Sequence, residues 1–360
     1  MFDGFYKDRK VLVTGHTGFK GSWMCRVLVD EGARVTGYAT EPPTKPALYK
    51  MAGLKDKVDS IIGDVRYLEH MQKVFDKAQP EIVIHMAAQP IVRESYKDPV
   101  LTYETNVLGT VNVLECIRNT GSVRSFINVT TDKVYLNKEW PWGYRENEEL
   151  NGYDPYSNSK SCSELVTSSY RKSFFKDTDT AISTMRAGNV IGGGDFAKDR
   201  IIPDCVRAVH DGVDIVVRNP DSVRPFQHVL EPVCAYLMVA MEQYKDKSLE
   251  GAYNIGPNES DCWTTGRLVQ LFCDKWNVNA DEGAAASWRK ESDNGPHEAG
   301  FLKLDSSLIK NKFGWAPHWD LEKAVEMTVA WSQAYFEGRD MAEVMDDQIK
   351  EYMAAGSKSV

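Results

Sequence analysis

Through its first half this chain alternates short apolar runs with segments of helical period, and that alternation most limits how it can fold. KVLVT (10–14), RVTGYA (34–39), VDSIIG (58–63), EIVIHMAA (81–88), SFINVT (125–130) and TAISTMRA (180–187) read as strands. Amphipathic stretches lie between them: to about Glu31, near 68–78, from about Pro99 to Asn119, and over 156–175. A strand that is apolar along its length needs cover on both faces, and strand–helix–strand order makes neighbouring strands parallel. The expected fold is α/β, a doubly wound parallel sheet. After about residue 188 Gly, Pro and Asp become frequent (GNVIGGGDF, RNPDSVRPF, NIGPNESD), and shorter helices are expected near 201–211, 231–243, 264–276 and 321–337. Residues 1–188 are therefore expected to form the sheet domain, with later elements returning to it. Residues 189–345 are expected to be mainly a smaller, interleaved C-terminal lobe. The tail GSKSV is expected to fray.

Directly after the first strand, VLVTGHTGFKGSW places Gly15, Gly18 and Gly21 at GxxGxxG spacing. Glycine permits a tight turn and close approach to a pyrophosphate, and the helix that follows offers free N–H groups. A tight strand–helix turn with no ligand is the plainer alternative. A ribose-binding acid belongs about 20 residues further on, but that region reads Thr36-Gly37-Tyr38-Ala39-Thr40. The absence of an Arg there for a 2′-phosphate favours NAD over NADP. Asp64, in IIGDVR, is either an adenine contact or a helix-cap or turn residue.

YDPYSNSK carries Tyr156 and Lys160, four residues apart, with Pro155 at a first helical position. Their side chains share a helix face. A nearby ammonium favours the phenolate, pulling the tyrosine from about 10 toward working pH. Tyr156 could then take a proton from an alcohol as hydride leaves.

Bulk properties narrow the partners. The 360 residues carry a formal net charge of -9, with no dense Lys/Arg run. Nucleic acid and anionic membranes are poor partners for such a chain, whereas a small anion needs only a few arginines and N–H groups. No apolar run reaches the roughly 18 residues of a membrane span. Seven cysteines, with no CxxC or zinc-ligand spacing, read as reduced thiols of a cytoplasmic protein without a metal site.

The pieces TGHTGFKG, GDVR, HMAAQP, TNVLGT, TTDKVY, YSNSK and RAGNVIG, with RPFQHV and YNIG further on, resemble the extended short-chain dehydrogenase/reductase family. GHTGFKGSW, TTDKVY and RENEELNGYDPYSNSK are similar more narrowly to its branch of 4,6-dehydratases acting on CDP-glucose. The resemblance implies a Rossmann-type sheet, NAD as cofactor, a small sugar nucleotide (CDP-glucose) as substrate, and a homodimer formed through the helices near 99–119 and 156–173. It implies cofactor contacts from Gly15, Thr17, Gly18, Phe19 and Gly21, from Asp64 and Val65, from Ala87 and Ala88, and from Asn106, Tyr156 and Lys160. Thr131, Tyr156 and Lys160 would form the triad. Asn106 would position the catalytic helix, or be a buried structural Asn. Asn189 and Arg224 would contact the substrate phosphates, with Arg200 and His228 nearby. Each of these could instead be a surface ion-pair partner.

TTDKVY (130–135) sets a hydroxyl, a carboxylate and an ammonium side by side where a strand ends. A 4,6-dehydratase oxidises C4, expels the C6 hydroxyl as water, and returns the hydride to C6. Elimination needs an acid and a base beyond Tyr156. The wider family has Thr-Asp-Glu where this chain has Thr131-Asp132-Lys133. Asp132 is the expected general acid. Lys133 is either the C5 base or, charged, the stabiliser of the enolate; a solvent-facing Lys133 is the alternative. A 4-epimerase would need only Tyr156 and Lys160, and a nonenzymatic NAD sensor not even those. His85 is expected to pack at a strand end near the cofactor. The aromatics of EWPWGY (139–144) either cap the site or pack a loop.

Overall fold

The apolar runs pair as their alternation requires. The computed structural model describes residues 1–278, 285–291 and 300–356. The central strands are β1 (Lys10–Thr14), β2 (Arg34–Ala39), β3 (Val58–Ile62), β4 (Ile82–His85), β5 (Ser125–Val129), β6 (Ala181–Ala187) and β7 (Ala252–Ile255). They form one parallel sheet in the order β7-β6-β5-β4-β1-β2-β3. The helices used below are α1 (Phe19–Asp30), α2 (Leu68–Ala78), α3 (residues 99–120), α4 (Pro155–Ser173), α5 (Ile201–His210), α6 (Leu230–Lys245), α7 (Thr265–Asn277), α8 (Leu321–Phe336) and α9 (Met341–Gly356).

Side chains alternate across the pleat, so β1 feeds two cores at once. Val11 and Val13 join Trp23 and Leu28 of α1 and Val233 and Leu237 of α6 on one face. Leu12 joins Phe75 of α2 and Val113 and Leu114 of α3 on the other. A third core, with Ile202, Val217, Leu268 and Val325, holds the lobe built from α5, α7 and α8. There Ile215–Val217 pairs in parallel with Trp288–Lys290.

Thr14, the last residue of β1, is in register with Tyr38 on β2 and His85 on β4. Strand order reverses at this point, so a crevice opens outside the carboxyl ends of β1 and β4. Two well-capped helices flank it. Asp98 caps α3 by accepting from Leu101 N at 2.9 Å, and Asp154 caps α4 by accepting from Ser157 N at 2.9 Å. Proline opens each helix, where its missing N–H costs nothing.

β7 is a later element that joins the sheet beside β6. Three features were not anticipated. The expected strand at 81–88 ends at His85, leaving Met86–Ala88 as loop. Glu104–Leu108 forms a π-turn inside α3, and α9 returns to pack on α1 through an Arg26–Asp346 ion pair. Residues 357–360, nearly all of the tail expected to fray, lie outside the described residues.

Behind β5 and β6 the Glu164 carboxylate of α4 meets the Arg186 guanidinium of β6 at 2.8 Å, each only 3% exposed. Glu164 also accepts from the Thr130 and Thr184 hydroxyls at 2.5 and 2.7 Å. Arg186 donates onward to Tyr135 Oη at 2.8 Å and to the Glu146 carbonyl at 2.9 Å. Breaking one side of such a pair leaves a buried charge uncompensated. Glu164→Gln is therefore expected to lower the free energy of urea unfolding by about 3 kcal/mol or more. A loss under about 1 kcal/mol, the range of an exposed pair, would contradict this assignment.

Candidate active site

The Gly-rich turn is shaped by contacts glycine alone allows. Gly15 has φ +76°, and a Cβ there would lie 2.8 Å from Ala87 N; at Gly21 it would lie 2.1 Å from the Gly15 carbonyl oxygen. At Gly18 a Cβ would meet only that same oxygen, at 3.4 Å, an ordinary contact. Protein packing thus accounts for Gly15 and Gly21, while at Gly18, the N-cap of α1, there is room for a side chain. No side chain caps α1 and no acid lies in its first turn. The turn therefore fits a dinucleotide pyrophosphate. Thr14 Oγ1 accepts from Met86 N and Ala87 N, both at 3.1 Å, which holds the loop after β4 against the turn.

The end of β2 carries no carboxylate. The His16 ring packs against β2 at Gly37, where a Cβ would lie 2.4 Å from it. His16 Nε2 pairs with Ser60 Oγ at 2.7 Å, and burial pushes its pKa down to about 4, so the ring is neutral. Asp64 is a turn residue engaged by Arg66, accepting from its N, Nε and Nη2 at 3.0, 3.0 and 2.7 Å. Thr17 donates to the Thr40 carbonyl. His85 packs as expected: it is buried between Thr14 and Thr110, and burial lowers its pKa to about 3.

Asn106 lies in the π-turn. Its Oδ1 accepts from Gln89 N at 2.8 Å, and its Nδ2 donates to Gln89 O at 3.1 Å and to Ser159 Oγ at 2.9 Å. It thereby ties the loop after β4 to α4, one residue before Lys160. The π-turn supplies the extra residue that swings this amide inward.

A cavity of about 330 Å³ spans the gap between sheet and lobe; Phe19, Thr131, Asp132, Lys133, Tyr156, Asn189, Arg200 and Arg224 all line it. Tyr156 lines this cavity together with Thr131. Its phenol is pushed up to about 12 by burial, against the opposing pull of Thr131 and Arg200. The expected lowering by Lys160 is not found. Lys160 is itself buried, donates to the Val129 carbonyl at 3.0 Å, and is pushed down to about 7 by burial and then by Lys20.

Strand β5 ends at Val129, and Asp132–Val134 form one 3-10 turn whose N-cap, Thr131, accepts from Lys133 N. The turn cancels strand alternation, so Asp132 and Lys133 face the same cavity. Asp132 Oδ1 accepts from the Thr131 hydroxyl at 3.0 Å, while its buried Oδ2 has no partner among the described residues. Burial raises the Asp132 pKa, more than Lys133, Thr131 and Arg224 lower it. A carboxyl biased toward its protonated form, with one oxygen free, is equipped to donate a proton.

Arg200 is ion-paired with Asp195 at 3.0 Å, and Arg224 is nearly buried. His228 is not brought to the cavity. It is fully buried, with ring centroids 6.0 Å from Trp23 and 4.8 Å from Trp319, and its Nδ1 accepts from Leu230 N. Aromatic packing claims it. Trp140 and Tyr144 of EWPWGY likewise stack in a small core with Tyr135 and Leu302, and so pack a loop. Lys20 was missed. It lines the cavity under the pull of Asp132 and Asp195, and its pKa is lowered to about 8 by burial and then by Arg200. Its signal was a lone charge in the first turn of an otherwise buried helix.

Residues 12–328 match the family model described as GDP-mannose 4,6 dehydratase. The chain belongs to this family. It is 45% identical to the CDP-glucose 4,6-dehydratase of Salmonella typhimurium, over 98% of this chain and 99% of that protein. To the dTDP-glucose 4,6-dehydratase of Streptomyces griseus it is 29% identical, over 89% of this chain and 93% of that one. Its fold is similar to that of a dTDP-glucose 4,6-dehydratase from Streptomyces venezuelae solved with NAD and TYD bound, with TM-score 0.77 and 22% identity, covering 91% of this chain and 98% of that one. Family membership makes Asp132 and Lys133 informative, because they add an acid and an ammonium to the Tyr156–Thr131 pair.

Proposed function

We propose that this chain is an NAD-dependent CDP-glucose 4,6-dehydratase that converts CDP-glucose to CDP-4-keto-6-deoxyglucose and water, a step toward deoxysugars. The 45%-identical relative over 98% of the chain supports the substrate. The observation that carries the chemistry is Asp132, its buried Oδ2 free, on the same turn as Lys133 and beside Tyr156. NAD, held at Gly15, Gly18 and Gly21, would take the hydride from C4 and return it to C6. Tyr156, as the phenolate that a bound cationic nicotinamide ring would favour, accepts the C4 hydroxyl proton, with Thr131 beside it and Lys160 behind it on the same helix. Asp132 protonates the departing C6 hydroxyl. Lys133 acts at C5: neutral, it takes the C5 proton; charged, it stabilises the enolate while that proton passes to solvent. Asn189, Arg200 and Arg224 hold the diphosphate, where arginine forks suit paired anionic oxygens. The lobe from 189 onward supplies most of that grip.

The enzyme works as a homodimer. Val100 and Leu108 on α3 and Leu165 on α4 are 66%, 55% and 56% exposed, an apolar face on two adjoining helices. It works in the cytoplasm, in keeping with seven free thiols, five of them buried. No helix among the described residues is long and apolar enough to cross a membrane.

Mass spectrometry tests the reaction. With NAD the chain is expected to remove one water from CDP-glucose, and Asp132→Asn to slow that loss at least about a hundredfold while C4 oxidation still accumulates NADH. Intact CDP-glucose mass with the wild-type chain, or unchanged water loss in the variant, would refute the reading or the role in turn. Sedimentation should give a dimer for the wild type and a monomer for Leu108→Glu combined with Leu165→Glu; a wild-type monomer sinks the dimer.

A further inference from the structure

The covalent order of a sugar nucleotide fixes the order of its subsites. With the sugar at Tyr156 and Asp132 and the diphosphate at Arg200 and Arg224, the base must lie beyond the phosphates, toward the lobe. The cavity continues there. Ile202 and Pro203 of α5 and Val216 and Val217 of the lobe strand give it apolar walls that suit a flat ring. Two charged side chains share those walls. Arg218 Nη2 lies 3.6 Å from Asp199 Oδ1, and both residues line the cavity. Asp204, close by, is instead engaged by Arg207. Asp199 sits at φ +59°, a left-handed conformation uncommon outside glycine.

We propose that Asp199 determines base specificity: its carboxylate accepts an N–H of the exocyclic amine of cytosine, while Arg218 donates to the ring acceptors O2 and N3. This rests on the reading of the substrate as a cytidine diphosphate sugar. The chemistry separates the pyrimidines. Cytosine offers acceptor, acceptor and donor along its pairing edge, complementary to a guanidinium beside a carboxylate. Uracil and thymine put a carbonyl where the amine would be, facing the carboxylate oxygen with no proton between them. Guanine also offers N–H groups to a carboxylate, and its second ring makes it the size control.

Calorimetric titration of the intact chain with CDP, UDP and GDP tests this without turnover. The wild type should bind CDP at least about tenfold more tightly than UDP, the range of one base-edge contact. Asp199→Gly removes the carboxylate while glycine adopts the same φ freely. Asp199→Asn can turn its amide to either pyrimidine. Both should weaken CDP about tenfold or more and bring the CDP-to-UDP ratio toward one. A wild-type chain without preference for CDP, tightest binding of GDP, or variants that keep the wild-type ratio would each overturn the assignment. Water loss from CDP-glucose by the wild type, read separately, reports on the dehydratase reading. A collapsed ratio with no water loss would leave Asp199 standing and that reading fallen.

Discussion

The buried Glu164–Arg186 pair is the joint on which the catalytic end of this molecule depends. It couples α4, which carries Tyr156 and Lys160, to β6 and, through the Thr130 hydroxyl, to the end of β5 where Thr131, Asp132 and Lys133 turn off the strand. Through Arg186 and Tyr135 it reaches Asn254 on β7, whose side chain donates to the Tyr144 and Asp305 carbonyls. One ion pair thus aligns a helix, three strands and the loop that closes the back of the site. Buried pairs of this kind gain little net free energy over apolar packing. Here the pair carries directional hydrogen bonds that aliphatic side chains would not.

In front of that joint, burial sets the electrostatics. Tyr156 and Asp132 are both biased toward their protonated forms, and Lys160 and Lys20 toward neutrality. Each departs from its ordinary value because water is excluded, with nearby charges correcting the shift only in part. A site prepared this way holds its protons close to transfer and favours an incoming anionic ligand, whose charge restores the cations. The Asp132 Oδ2 atom is the sharpest expression of this: it is buried and has no hydrogen-bond partner among the described residues.

Much of this was legible because it is local in the chain. The first six strands are short, largely apolar runs that stand out against their helices, and the GxxGxxG turn, the Asp132–Lys133 pair and the Tyr156–Lys160 spacing each lie within a few residues. What sequence could not give depends on distant neighbours. β7, with only AYNI, has a polar Asn254 in its middle because the Tyr135 phenol and the Tyr144 and Asp305 carbonyls meet it there. The π-turn at Asn106 leaves no periodic trace over five residues. His228 read as polar and available, yet two tryptophans far away in sequence use its ring as filler. The pull of Lys160 on Tyr156 failed for the same reason: the helix face was right, but the Val129 carbonyl takes the ammonium and burial outweighs it.

The central claim is that one enclosed site moves a hydride from C4 to C6 of the same sugar while expelling water. CDP-glucose deuterated at C4, turned over with NAD in ordinary water, tests it most directly. The account predicts product with the deuterium at C6 of the molecule that lost it and a solvent hydrogen at C5. Deuterium kept at C4, as epimerisation would leave it, or lost to solvent, would contradict the account.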